Sequence, residues 1–406
     1  MPIGVDKFIG ERLTEAREAR GILTMSSLAD LLEVSKNTVS LCEANKTKPR
    51  PELIEKMARQ LAVKESFFFL PLPENTSGTM FQRSRHALTK HHRTVVERKF
   101  GWSKYLWDVF LKSYLDMPIL NIPSRIDLGV ADDPTNITPN DIENIAVRLR
   151  EHWGMGTSPI ENITDLLENN GILISAGYTH SDKLDAFSNV SEYDGSFHVF
   201  LGKDKNSVAR TRFDAPHELG HLVLHSHLPN GFITDKTHAM LEDQANRFAG
   251  AFLMPKSAFG RDVWMLSIEA FKVLKTDWKA SVGAIIKRCD NLGLFEDDET
   301  RLRQLWIKYR KNWETIEKDT LCAEPPQLAK KSIDILLKSG LSKSQILYEV
   351  PFAQNDVESL LNLPEGYLSE SFGEVRNMLP QLKKDIEPKG SGEGTVVSLQ
   401  DYKRIP

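Results

Sequence analysis

Arg212-Phe213-Asp214-Ala215-Pro216-His217-Glu218-Leu219-Gly220-His221-Leu222-Val223-Leu224-His225 is followed after a polar gap by Glu242-Asp243-Gln244-Ala245-Asn246-Arg247-Phe248-Ala249. Apolar residues recur in both stretches at helical spacing, so we read helices over 209–225 and 240–254. His217 and His221 are four apart, one turn along one helix face, where two neutral imidazoles can converge on a single ion. Zn2+, which takes nitrogen ligands at about 2.0 Å, suits such a pair. Glu218 lies beside the ion without binding it, placed to take a proton from an attacking water. A catalytic zinc needs a third protein ligand and one open position. Glu242 fills that role if the second helix returns antiparallel to the first. Asp243 competes for it, but Glu242 keeps four-residue spacing to Asn246, which can orient a ligand histidine. His225, one turn beyond His221, reads as a supporting or structural residue. His227 has the spacing of a third-histidine zinc site, yet Leu224 stands where that pattern requires Gly.

These motifs, with Phe252-Leu253-Met254-Pro255, Asp185-Ala186-Phe187-Ser188 and Trp278-Lys279-Ala280-Ser281-Val282, resemble the ImmA/IrrE family of metallo-endopeptidases over about residues 140 to 290. The resemblance implies zinc held by His217, His221 and Glu242, Glu218 as general base, water as nucleophile, and a protein substrate, often a DNA-bound repressor. One departure stands inside the motif. Pro216 replaces the usual Ala, so either the helix starts late or the site is distorted, because proline inside a helix removes a hydrogen bond.

Working towards the N-terminus, residues 8–70 alternate short helical patterns with turn signals. We read helices over 8–20, 26–32, 35–42 and 51–61, then a short turn over 64–69. Leu28-Ala29, Val34-Ser35, Thr38-Val39-Ser40, Glu43 and the Pro49-x-Pro51 loop resemble the Cro/repressor-like helix-turn-helix domain of the xenobiotic-response-element type. In that reading the helix from Ser35 enters the major groove of double-stranded operator DNA. Lys36, Asn37 and Thr38 face base edges, while Ser40, Lys46 and Lys48 face phosphates. The departures are Glu33 at a turn position where Gly is usual, Met25 for a common Gln, and Leu41 for a frequent Arg. Residues 1–70 hold eleven Lys or Arg and ten Asp or Glu, a weak field for phosphate neutralisation. The next segment is strongly basic. Arg83, Arg85, Lys90, Arg93, Arg98, Lys99 and Lys104 face the single acid Glu97, in a stretch read as helical from Met80 to about Leu115. That run either supplies phosphate contacts or forms a solvated helix face.

Between and beyond these motifs, residues 121–140 are rich in Pro and Asp and read as a linker. Three β-like runs, 172–176, 185–190 and 197–201, put a small sheet beside the metal helices. After Pro255 the chain is helical to about Leu382, with Leu341 to Leu363 resembling a second, weaker helix-turn-helix. From Lys389 onward the Gly-Ser-Gly-Glu-Gly tail reads as flexible.

The fold class that follows is multidomain: an all-α helix-turn-helix domain at 1–72, a basic helical connector and linker at 73–140, and an α+β zincin-like metallopeptidase domain with a small sheet at 141–260. A mostly α-helical C-terminal region at 261–385 and a tail at 386–406 complete it. At 406 residues, 40% hydrophobic and 27% charged, the chain is too long for one core and too balanced for disorder. No apolar run approaches the roughly 18 residues of a spanning helix, so no membrane is expected. Three scattered cysteines exclude a disulfide framework and point to a reducing cytoplasm. The net charge of −4 argues against coating of nucleic acid by the whole chain.

The expected function is a DNA-binding transcriptional regulator with a zinc-dependent endopeptidase that cleaves a protein partner such as a repressor. The competing reading is an antitoxin-like or transcriptional regulator whose peptidase-like domain senses a ligand or partner without cutting. Autocleavage is a third. The C-terminal helices are expected to support the peptidase or to mediate homodimerisation.

Overall fold

The computed structural model describes residues 7–72, 80–82, 90–177, 186–191, 194–203, 208–229, 232, 234–295, 298–318 and 321–370. Arg83, Arg85, Asp185, the helical reading from Ser371 to about Leu382 and the tail from Lys389 lie outside the described residues.

The N-terminal elements follow local signals closely. Helices α1 (Gly10–Ala19), α2 (Met25–Leu32), α3 (Lys36–Glu43) and α4 (Pro51–Leu61) precede a 3-10 turn at Glu65–Phe69. Thr24 caps α2 and Ser35 caps α3, each accepting from the amide three residues on. Pro51 starts α4, where its missing N–H costs nothing. Glu33, in the place where Gly is usual, holds the left-handed conformation at φ 52° and pairs with Lys56 at 2.5 Å. A buried ion pair, Arg17 Nε to Glu43 Oε1 at 2.7 Å, fixes α3 against α1, and Arg17 also donates to the carbonyls of Ile22 and Leu23.

The next segment departs from expectation at its start. Met80–Gln82 is a strand, β1, and the helix read from Met80 begins at Lys90 as α5 (Lys90–Lys104). Backbone pairing to a neighbouring strand, which periodicity cannot register, decides the difference. α5 continues through a π-helical turn at Tyr105–Phe110, burying Phe100, Trp102, Leu106 and Trp107. The π turn sets Asp108 against His198 Nε2 at 3.1 Å and Lys112 at 2.7 Å. Charges of the basic run are engaged within the chain, among them Arg98 with Glu18 at 2.8 Å and Lys104 with Asn189 at 3.2 Å. This run, read as a connector, is therefore a core element where it is described. Residues 121–140 are packed as well. They form α6 (Arg125–Leu128) and a 3-10 turn at Pro134–Asn136, and they bury Leu128, Val130 and Ile137. Their Ser, Asp and Pro cap and start these short helices instead of solvating a linker.

Helices α7 (Pro139–His152) and α8 (Ile163–Asn169) lead into strands β2 (Ile172–Gly177), β3 (Ala186–Val190) and β4 (Phe197–Gly202). The sheet order is β1-β3-β4-β2, with β2 parallel to β4 and the other pairs antiparallel. Its two-residue alternation divides two cores. Ile172, Ile174, Ala186, Phe197, Val199 and Leu201 face one core; Leu173, Phe187 and Phe200 face the other. Phe187 and Phe200 stack at 5.1 Å, and Ser175, on their face, accepts from the buried Trp107 indole at 2.9 Å.

On the first face lie α9 (Val208–His225) and α10 (Asp235–Leu253), followed by α11 (Lys256–Asp262), α12 (Ile268–Trp278), α13 (Val282–Asn291), α14 (Glu299–Lys311) and α15 (Trp313–Ile316). The last helices, α16 (Leu328–Lys338), α17 (Lys343–Glu349) and α18 (Gln354–Leu360), join the opposite core with α1–α5. The helical C-terminal third is thus shared between both cores. The pair α17–α18 has the outline of a second helix-turn-helix, but α18 faces inward: Asp356 pairs with Arg20 at 2.5 Å and Glu358 is buried. Among the described residues, no helix is long and apolar enough to cross a membrane.

Glu168 ties α8 to α16 by accepting from the amides of Gln327 at 2.9 Å and Leu328 at 3.0 Å. Burial, assisted by Asp165, outweighs these hydrogen bonds and pushes its carboxyl up to about 7. A carboxyl raised in the folded state adds most stability below its unfolded pKa of about 4.5, and that contribution is lost as pH rises through 7. The shift corresponds to at most about 3 kcal/mol. Glu168→Gln should flatten the fall in unfolding free energy between pH 5 and 7.5 relative to the parent chain. Urea denaturation at the two pH values tests this, and identical slopes would refute it.

Candidate metal centre and nucleic-acid interface

α9 carries His217, Glu218 and His221 on the face turned into the protein; all three are buried. α9 runs unbroken through Pro216, so the late helix start is excluded. Pro216 cannot donate to the Arg212 carbonyl one turn back, yet the donors still converge. The alternative of a distorted site finds no support in their positions. α10 packs closely on α9 because Gly220 has no side chain: a Cβ there would meet Ala245 Cα and O, and Phe248, at 3.2 Å. That contact brings Glu242 over the two imidazoles.

His217 Nε2 lies 3.2 Å from His221 Nε2, and Glu242 reaches His217 with Oε2 at 3.4 Å and His221 with Oε1 at 3.2 Å. One ligand atom from each of the three residues falls within 4.8 Å of the others. Burial alone would raise the Glu242 carboxyl, but hydrogen bonds and charge from His217 and His221 outweigh it and hold it well below the usual carboxylate range. Two imidazole nitrogens and a carboxylate facing one point form a donor set that suits zinc.

Hydrogen bonds behind the ligands set which ring nitrogen presents a lone pair. Asn246 Nδ2 donates to the Glu242 carbonyl at 2.8 Å, which leaves its Oδ1 to accept from His217 Nδ1 at 3.2 Å. With the proton on Nδ1, His217 Nε2 faces the centre as an acceptor. A longer chain does the same for His221. Gln244 Nε2 donates to the Pro134 carbonyl at 2.7 Å, and its Oε1 then accepts from His225 Nε2 at 3.0 Å. His225 Nδ1 is left to accept from His221 Nδ1 at 3.0 Å, freeing His221 Nε2. This direction requires a neutral His225. Burial, then the neighbouring His221, lowers its pKa to about 3. Each link is a backbone-anchored choice of tautomer.

Glu218 Oε2 accepts from Ser188 Oγ, on the face of β3 turned to α9. The remaining candidates separate clearly. Asp243 is exposed and pairs with Arg247 at 2.7 Å, outside the centre. His227 turns to the Asp132 carbonyl at 3.1 Å. The sequence motifs include Ser188 and Gln244 without assigning either a role, and nothing local marks Pro134. Sequence reasoning missed His238, whose Nε2 is 3.8 Å from Glu242 Oε1 and whose i, i+4 spacing to Glu242 was a usable signal.

On the nucleic-acid side, Lys36 and Asn37 are exposed at the start of α3, and Lys46 and Lys48 are exposed in the following loop. Thr38 is half-buried, with its hydroxyl 2.9 Å from the Ser35 cap, and Ser40 is half-buried one turn along. The first turn of α3 therefore exposes Lys36 and Asn37 more fully than Thr38 and Ser40.

A search of curated proteins returns no significant match to the chain. Two family profiles match separate segments: the peptidase family M78 profile, described as the IrrE N-terminal-like domain, over residues 169–290, and a helix-turn-helix domain profile over residues 9–66. The matched segments hold the two constellations described above, so the chain combines an IrrE N-terminal-like, peptidase-like domain with an N-terminal helix-turn-helix domain.

Proposed function

We propose that the chain is a DNA-bound regulator whose metal centre is a zinc endopeptidase acting on a protein partner, with a repressor as the class of substrate. The observation that carries this reading is the convergence of His217, His221 and Glu242, with Glu218 beside them, in a chain that also presents Lys36 and Asn37. Both ligand imidazoles are held in the tautomer that leaves Nε2 available, which a purely structural histidine pair does not need.

His217, His221 and Glu242 would hold zinc, which when bound would supply a Lewis acid to acidify water and polarise a peptide carbonyl. Glu218 then accepts the proton of the attacking water and returns it to the leaving amine. Ser188 holds the carboxylate of Glu218 by its Oε2, limiting its rotation. Asn246 and the His225–Gln244–Pro134 chain keep the two imidazoles oriented. The buried setting of the centre excludes bulk water and strengthens each of these interactions. The helix-turn-helix domain brings the centre to proteins bound on the same DNA, where Lys36 and Asn37 contact bases and Ser40, Lys46 and Lys48 contact phosphates.

Glu218→Gln should keep zinc, measured by elemental analysis of purified protein, and lower cleavage of repressors encoded beside this gene on the order of 10²–10⁴-fold. Cleavage at the parent rate by that variant would overturn the mechanism. Gln244→Ala should weaken zinc affinity about 10- to 100-fold in competition with a chelator. It should also shift the ring-nitrogen resonances of His221 and His225; unchanged affinity and resonances would remove Gln244 from the chain. Replacing Lys36 and Asn37 by Ala should cost on the order of 1–3 kcal/mol in operator affinity for each lost base contact, read by fluorescence anisotropy. Unaltered specific binding would reassign the recognition surface.

A further inference from the structure

β3 touches the centre's chemistry directly, since its Ser188 donates to Glu218. One side of β3 pairs with β4 and the other with β1, antiparallel, in the register Met80↔Asn189, Phe81↔Ser188 and Gln82↔Phe187. β1 is three residues long and forms the outer edge of the sheet. The backbone of Phe81 thus lies directly across from the residue that holds Glu218. Removing β1 would leave β3 as an edge strand, with a row of backbone donors and acceptors ready to pair with any extended chain. Adding a strand to such an edge is a general way to bind polypeptide without regard to most side chains.

We infer that the edge of β3 is the docking site for an extended polypeptide, and that residues 80–82 of the same chain hold it as a built-in competitor. The inference rests on the peptidase reading for its functional meaning, but the strand site is testable without metal. A three-residue strand at a sheet edge has few backbone hydrogen bonds to lose, so it can exchange for a longer partner. Being tethered, it competes at an effective concentration on the order of millimolar, which an external peptide must exceed. Residues 80–82 lie in sequence between the helix-turn-helix domain and α5. The competitor therefore belongs to the segment that links DNA reading to the metal centre.

The test uses the full chain, stripped of metal with chelator so that nothing is cut, and a fluorescently labelled synthetic peptide with the sequence of residues 76–86. Alternate residues of an antiparallel strand make the hydrogen bonds to a given neighbour. Two variants therefore cover both registers: Phe81→Pro, and Met80→Pro combined with Gln82→Pro. At least one should expose the amides of residues 186–190 to hydrogen exchange, bind the peptide at least about tenfold tighter than the parent chain, and regain protection at 186–190 on binding. Equal peptide affinity in all three chains would overturn the inference. So would amides at 186–190 that stay protected in both variants without peptide, or gain no protection with it. Loss of the zinc or Glu218 predictions would leave these outcomes unchanged, so failure of the peptidase reading and failure of the strand site are distinguishable.

Discussion

The close approach of α9 and α10 at Gly220 and Ala245 is the constraint on which the centre depends. With a side chain at Gly220 the helices would have to separate or the neighbours shift, and Glu242 would be displaced from His217 and His221. Burying three ionisable groups in one place is costly unless each is paired or binds a metal. The centre meets that demand through mutual contact of the three groups and through polar chains that end on backbone carbonyls. Pro134 is the anchor of one chain, which explains why a stretch rich in turn residues is packed against the core.

The sheet has a second organising role. Its alternation sends Ser188 to the face of α9 and Phe187 to the face of α5, so a single strand joins the metal centre to the core that contains the helix-turn-helix domain. α16–α18 close the same core from the C-terminal side, with Arg20–Asp356 and the pairing of Val63 with Phe352 as direct links. The helix-turn-helix domain and the His217, His221 and Glu242 cluster therefore belong to cores on opposite faces of one sheet.

Much of the site was legible because its spacing is local. His217, Glu218 and His221 depend on the pitch of one helix, Glu242 and Asn246 on the pitch of another, and the helix start at Ser35 on residues three positions away. The elements read from such spacing, α1–α4 and α9–α10, lie within five residues of their expected bounds. Met80–Gln82 did not, because a three-residue strand has no period of its own and exists only through its neighbour. The linker at 121–140 did not either, since Pro and Asp mark turns whether those turns are solvated or buried.

Sequence by itself determined which residues could share a helix face, and so the pairing of His217 with His221, the acid beside them, the three β-like runs and the exposed first turn of α3. Only the tertiary structure decided which distant groups complete those faces: Ser188 on Glu218, Gln244 and Pro134 behind His225, β1 beside β3, and α18 turned inward on Arg20. The physical reason is that a helix or strand period constrains neighbours a few residues apart. Hydrogen bonds spanning 30 or 110 positions depend instead on where the chain returns, which is set by how two cores pack on opposite faces of one sheet.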